Sequence, residues 1–169
     1  MQKKGVSVKL TRSTDVDVSL EKRVRCASVH SEYVFVSIHA NMSRNTKAHG
    51  IETFYVSDVL LSRKQKLFSK KDEAFFDNLI KMQSKESHRL ASHLQKGVLQ
   101  VVGKKHTLVK DRSVKPAFSQ LFLGPNSVAA LIEVGFLSNK KEAALLKQAS
   151  YQEAIAQGIC KGILAYMRI

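Results

Sequence analysis

Two stretches of the sequence, Tyr33–Ile38 (YVFVSI) and Ser127–Val134 (SVAALIEV), are apolar almost without interruption. Such runs are typical of strands that are covered on both faces, as in a parallel sheet with helices on either side. Because strand and helix patterns alternate along the chain, we expect an α/β domain in three layers, with a mainly parallel twisted sheet. In such sheets, functional side chains gather just beyond the C-terminal ends of the strands.

The remaining sequence predicts further elements around these two strands. Val6, Val8 and Leu10 alternate with polar residues and predict a strand over Val6–Arg12. Other predicted elements are a helix capped by Ser19, a strand over Ile51–Val56, a helix from Ser84 or Ser87 to about Val102, and a helix over Tyr151–Tyr166. The segment Lys110–Phe118 is predicted to be a loop, and Ser57–Gln83 to be irregular.

Two local motifs predict how the C-terminal helices are held. Asn139, followed by Glu142 three residues later, is typical of a capping box at the start of a helix. Ala154, Gly158 and Gly162 form a stripe of small residues that we expect to pack closely on a sheet.

The composition indicates a single domain with an anionic partner. The chain has 169 residues, and 28 Lys and Arg against 14 Asp and Glu give a net charge of +14. No nucleic-acid-binding motif accompanies that charge, and no apolar run is long enough to span a membrane. Cys26 and Cys160 show no CxxC spacing, which argues against a metal site built on sulfur.

Two polar residues interrupt the apolar strands close to their C-terminal ends, His39 and Glu133. A carboxylate there is costly to bury unless it has a partner or a chemical role. An imidazole at a strand end can bind zinc, and a nearby glutamate can act as the base for a zinc-bound water. Two simpler readings stay open, in which His39 is a hydrogen-bonding residue of the fold and Glu133 pairs with a Lys or Arg.

Four segments occur in the order and rough spacing of one known family: FVSIHAN, GIETFYVS, ALIEVGFLSN and YQEAIAQGICKGILAY. Over nearly its whole length the chain resembles the catalytic domain of the zinc-dependent N-acetylmuramoyl-L-alanine amidases. The resemblance implies cleavage of the amide between N-acetylmuramic acid and the L-alanine of the peptidoglycan stem peptide. It also implies a location in the periplasm or cell envelope and a possible activator protein.

The resemblance assigns roles to four residues of this chain. In the family, two histidines and a glutamate hold the zinc ion, and a second glutamate acts in catalysis. His39 matches the second histidine ligand and Glu133 matches the catalytic glutamate. Glu52 and Asn41 match positions with a supporting part.

The family's first strand, which carries the first histidine ligand, has no counterpart here, nor has the glutamate ligand of the following helix. We therefore expect the domain over residues 1–169 to be incomplete at its N-terminus, through a misplaced start codon, a truncated gene or degeneration. We expect it to bind zinc weakly and to be poorly active. The alternative function is a non-catalytic basic module that binds cell wall or another anionic polymer.

Other residues are weaker candidates for a site. His88 and His93 lie five positions apart on a predicted helix and therefore point about 140° apart, which makes a poor ligand pair. His49 is expected to be a loop residue. Residues 57–83 are a possible regulatory insertion, in which Asp72 or Glu73 could reach the metal, although a solvated charged face is the simpler reading.

Overall fold

Four strands form one mixed sheet in the computed structural model, which describes residues 1, 5–28, 34–57, 70–104, 106, 109–117 and 128–169. The strands are β1 (Val34–Asn41), β2 (Ile51–Tyr55), β3 (Asp111–Pro116) and β4 (Val128–Phe136). They lie in the order β1-β4-β2-β3. The pairs β1–β4 and β2–β3 are parallel, whereas β4 and β2 are antiparallel. The predicted α/β fold with a mainly parallel sheet is confirmed.

Helices lie on both sides of this sheet: α1 (Leu20–Ser28), α2 (Lys70–Val102), α3 (Lys140–Leu146) and α4 (Ala149–Met167). The side chain of Ser19 accepts a hydrogen bond from the backbone N–H of Lys22, which confirms the predicted cap of α1. Helix α2 is longer than predicted, because residues 70–83 continue the helix toward its N-terminus. The expectation of an irregular segment there was wrong.

Two further predictions about strands were wrong. Residues 6–12 form no strand in the described structure, and the side chains of Val8 and Leu10 are 39% and 68% exposed. Alternation alone does not make a strand where no neighbouring strand pairs with it. Conversely, Asp111–Pro116 forms β3 although its sequence, DRSVKP, is mostly polar. Backbone pairing with β2 outweighs the weak strand propensity of these residues.

The buried core lies mainly between one face of the sheet and helices α2 and α4. Ile132 and Val134 of β4 pack there, and Phe35, Val56 and Leu131 form a smaller cluster on the opposite face. Residues at spacing i, i+4 on α2 contribute to the main core, namely Leu90, Leu94, Val98 and Val102. The side of each strand that faces away from α2 and α4 is therefore available for functional side chains.

Glycines allow α2 and α4 to cross at very short distance. A Cβ atom added to Gly158 would lie 2.5 Å from Cα of Val98, and one added to Gly162 would lie 2.6 Å from the carbonyl oxygen of His93. Gly97 of α2 meets the backbone of Gly158 in the same way. The small-residue stripe of α4 therefore packs on a helix, and the prediction that it packs on the sheet was wrong.

The capping motif of α3 is formed only in part. Asn139 accepts hydrogen bonds from the backbone N–H groups of Lys141 and Glu142, as predicted. The carboxylate of Glu142 does not return to Asn139, as a capping box requires; its two oxygens accept from the backbone N–H groups of Gly50 and Phe136, each at 2.8 Å. Glu142 thus joins the start of β2 to the end of β4.

We predict that Gly158→Ala lowers the free energy of unfolding by about 2 kcal/mol, because the added methyl group meets backbone atoms that cannot move aside. Chemical denaturation monitored by circular dichroism measures the change. Ala156→Ser is the matched control, since it also adds one heavy atom to α4 but at an exposed position. Equal stability of the two variants would contradict the close helix crossing.

Candidate active site

Three titratable side chains form a row across three neighbouring strands, which we call the polar row: His39, Glu133 and Glu52. His39 of β1 is the register partner of Glu133 in β4, and Glu133 is the register partner of Glu52 in β2. The neighbours of Glu133 in sequence, Ile132 and Val134, point into the main core, so the row lies on the opposite face of the sheet. The structure therefore brings three of the sequence-predicted residues together.

Glu133 is half-buried and has an unusual environment for a carboxyl group. Its Oε2 atom is buried and has no hydrogen-bond partner among the described residues. Burial, together with the negative charge of Glu52, raises the pKa of Glu133 to about 7. No Lys or Arg among the described residues pairs with it, so the simpler reading of Glu133 as an ion-pair partner has no support there.

His39 lies beside Glu133 at the C-terminal end of β1. Partial burial and the positive charge of Arg23 in α1 lower the pKa of the imidazole below 6.5. The ring is therefore mostly neutral near pH 7, which is the form that can bind a metal ion. The described hydrogen bonds include none to the ring of His39, so the reading of His39 as a satisfied residue of the fold has no support in them.

Glu52 has several partners, in contrast to Glu133. It is only 4% exposed, its Oε1 accepts from Nδ2 of Asn41 at 2.7 Å, and its Oε2 accepts from Nζ of Lys115 at 2.6 Å and from Nε of Arg112 at 3.1 Å. Burial opposes ionisation of Glu52, but the two cations outweigh it and lower the pKa of the carboxyl group. Glu52 is therefore the ionised member of the facing pair Glu52–Glu133.

Arg112 and Lys115 were missed at the sequence level, because their segment was predicted to be a loop. Residues three apart in a regular strand point to opposite faces. Both nevertheless reach Glu52, since the strand is irregular at Ser113, which has a φ of 71°, and the register with β2 shifts at this point. Asp111 stabilises the irregularity by accepting a hydrogen bond from the backbone N–H of Ser113. Because β3 is mostly polar, no alternation of apolar residues marks it as a strand in the sequence.

Among the residues that the structure describes, no histidine other than His39 joins the polar row. His49 lies in the connection between β1 and β2, as predicted, with Nδ1 2.9 Å from the carbonyl oxygen of Lys47. His88 contacts the ring of Tyr55 and His93 the ring of Tyr166, so the two do not converge. The side chains of Asp72 and Glu73 lie outside the described residues, and their proposed role remains a prediction.

At adjacent strand ends of an α/β sheet, His39 and Glu133 are residue types that bind metal ions and transfer protons in hydrolases. The sequence profile of the N-acetylmuramoyl-L-alanine amidases matches residues 1–165. The chain belongs to this family.

Individual relatives agree with the family match. The chain is 30% identical to the amidase LytC of Bacillus subtilis (strain 168), over 94% of this chain and 26% of that protein. It is 30% identical to the amidase AmiA of Escherichia coli (strain K12), over 96% of this chain and 61% of that protein. The chain therefore spans less than two thirds of the length of these curated relatives.

A solved structure of the family shares the fold. The amidase CwlD from Clostridioides difficile, solved in complex with the lipoprotein GerS, superposes with a TM-score of 0.75 at 30% identity. The match covers 99% of this chain and 78% of that one.

We predict that Glu52→Gln destabilises the fold by about 2 kcal/mol near pH 7, because two cations lose their charged partner. The pKa of Glu52 is lowered in the folded state, so its stabilisation is present above the ordinary value of 4.5 and is lost as pH falls through the lowered pKa. The difference between wild type and variant should therefore shrink in acid. Urea denaturation at several pH values tests this, and a difference independent of pH would contradict it.

Proposed function

We propose that this chain carries the catalytic face of a peptidoglycan amidase, which hydrolyses the amide between N-acetylmuramic acid and the L-alanine of the stem peptide. The observation that supports this best is the unpartnered, buried Oε2 of Glu133 beside His39. A carboxyl group whose pKa lies near 7 can both take up and release a proton at neutral pH. The family match supports the substrate class.

The role that we propose for Glu133 is proton transfer. Glu133 accepts a proton from the water that attacks the amide carbonyl, and it passes the proton to the nitrogen of the leaving L-alanine. The amide C–N bond breaks as that nitrogen is protonated, which gives a free carboxylic acid and a free amine. Glu52 keeps its negative charge in these steps, because its two cations stabilise the ionised form.

The amidase family depends on zinc, which polarises the amide carbonyl and activates water when it is bound. The described residues do not fit a complete zinc site: they contain no group of three His, Cys, Asp or Glu side chains placed to bind one ion. Catalytic zinc sites use three protein ligands. We propose that His39 is one ligand and that the others come from outside the described residues.

We predict that residues 1–169 retain much less than one zinc ion per chain after dialysis against zinc-free buffer, because the described residues supply no ligand group beyond His39 and one imidazole binds zinc weakly. Atomic absorption spectroscopy measures the bound metal. His39→Ala should lower the residual zinc further, whereas His93→Ala, at a histidine that contacts Tyr166, should not. Retention of a full equivalent by wild type would contradict the prediction.

We predict that Glu133→Gln lowers the release of stem peptides from purified peptidoglycan by at least about a hundredfold, since the amide side chain cannot move the proton. Wild type and variant are compared in a form of the protein that shows amidase activity. Chromatography measures the peptides that each one releases. Glu153→Gln is the control, because Glu153 is an exposed residue of α4 that bonds only Gln157 among the described residues. The fold of each variant is checked by thermal unfolding.

The result of that experiment also tests the alternative of a non-catalytic basic module. If the chain only binds an anionic polymer, Glu133→Gln leaves all measured behaviour unchanged, and binding to cell wall falls steeply with salt. Unchanged peptide release by the variant would therefore overturn the proposed role of Glu133.

We further propose a location in the cell envelope, where the substrate lies, and peptidoglycan as the main partner. No helix in the described part of the chain has the length and hydropathy of a membrane span. An activator protein is a second proposed partner, supported by the complex in which CwlD was solved.

A further inference from the structure

Two cations share a single carboxylate oxygen next to the polar row. Arg112 and Lys115 both bond Oε2 of Glu52, so the three side chains together carry a net charge of +1. The side chains of Arg112 and Lys115 are 27% and 41% exposed, whereas Glu52 is almost completely covered. The excess positive charge is therefore open to solvent, on the face of the sheet that carries Glu133.

The guanidinium group of Arg112 is held in place from two sides. Its Nε donates to Glu52, and its central carbon lies 4.9 Å from the ring centroid of Phe136, in a cation–π contact. No acceptor for its two terminal nitrogens is found among the described residues. A fixed guanidinium with free terminal N–H groups matches the two oxygens of a carboxylate, and its fixed position reduces the entropy cost of binding.

The distance of these cations from Glu133 suits a particular part of a stem peptide. Strand β2 separates β3 from β4, and neighbouring strands lie about 4.8 Å apart. The cations reach back from β3 to Glu52 on β2, so they lie roughly 5 to 10 Å from Glu133. An extended peptide advances about 3.5 Å per residue, so a group on the second residue after the cleaved amide lies within this range.

We propose that Arg112 and Lys115 bind the free carboxylate on the second residue of the stem peptide, the residue that follows L-alanine. This inference rests on the proposed function, and it names the feature of the substrate that the site selects. A stem peptide whose carboxylate is converted to an amide loses its negative charge and one acceptor oxygen. The site therefore prefers peptides with a free carboxylate at this position.

Isothermal titration calorimetry on the chain can test the preference without catalysis. The probes are N-acetylmuramoyl-L-alanyl-D-glutamate with its γ-carboxyl group converted to the methylamide, so that the α-carboxylate is the free one on that residue, and the same compound with its α-carboxylate also amidated. We expect wild type to bind the free acid about tenfold more tightly than the amide, the order expected for one charge-assisted hydrogen bond. Arg112→Gln and Lys115→Gln should each reduce this preference, and Arg112→Lys should retain part of it.

Lys96→Gln is the matched control, because it removes the same charge from an exposed position on α2, the helix that covers the other face of the sheet. It should leave the preference unchanged. Thermal unfolding identifies any variant that fails to fold, and Lys115→Gln provides a second test because Lys115 is the more exposed cation.

Each remaining outcome is decisive. If wild type binds acid and amide equally, the carboxylate subsite is wrong while the proposed amidase function stands. If wild type binds neither probe, the carboxylate subsite is wrong, and the proposed amidase function is judged separately by the peptide-release experiment on Glu133→Gln. If Arg112→Gln weakens binding of acid and amide by the same factor, Arg112 only supports the fold of the site.

Discussion

The arrangement of the site depends on two carboxyl groups that face each other across antiparallel strands. Glu52 and Glu133 are direct register partners, and like charges at such positions repel. The two carboxyl groups avoid this repulsion because their hydrogen-bond and ion-pair partners differ. Glu52 accepts hydrogen bonds from Asn41, Arg112 and Lys115. The buried Oε2 of Glu133 has no partner among the described residues. One group is thereby stabilised as an anion, and the other takes up a proton near neutral pH.

Several distant features of the fold keep this pair in register. Glu142 accepts from the backbone at Gly50 and at Phe136, and so ties the strand of Glu52 to the strand of Glu133. Gly50 has a φ of 110°, and an added Cβ atom would lie 2.4 Å from the carbonyl oxygen of Lys110, just before β3. On the opposite face, Gln95 of α2 bonds Thr53, the carbonyl oxygen of Ile51 and Asp111, and so links α2 to β2 and β3. Residues outside the polar row therefore keep its strands in register.

The site residues that could be predicted from the sequence are those that lie within apolar strand patterns. His39 and Glu133 were found because each interrupts a nearly continuous apolar strand, and this signal needs no knowledge of the sheet order. The antiparallel pairing of β2 with β4 left no such signal, although it is this pairing that sets Glu52 against Glu133. The cations of β3 were missed for a related reason, because a polar strand stabilised by backbone pairing and by an irregularity at Ser113 resembles a loop. Side-chain pattern predicts burial, whereas pairing partners are decided by the whole fold.

The charges around Glu52 affect how the proposed substrate would bind. Two cations against one carboxylate leave a net positive charge, and this charge lies on the face where a peptide would bind. A substrate carboxylate would neutralise that charge, but it would also bring another negative charge toward Glu133. A nearby anion raises the pKa of a carboxyl group, so a bound free-acid peptide should help Glu133 to keep the proton it has accepted until the leaving amine takes it. On this reasoning, the subsite that recognises the peptide also favours the protonation state that the second half of the reaction requires.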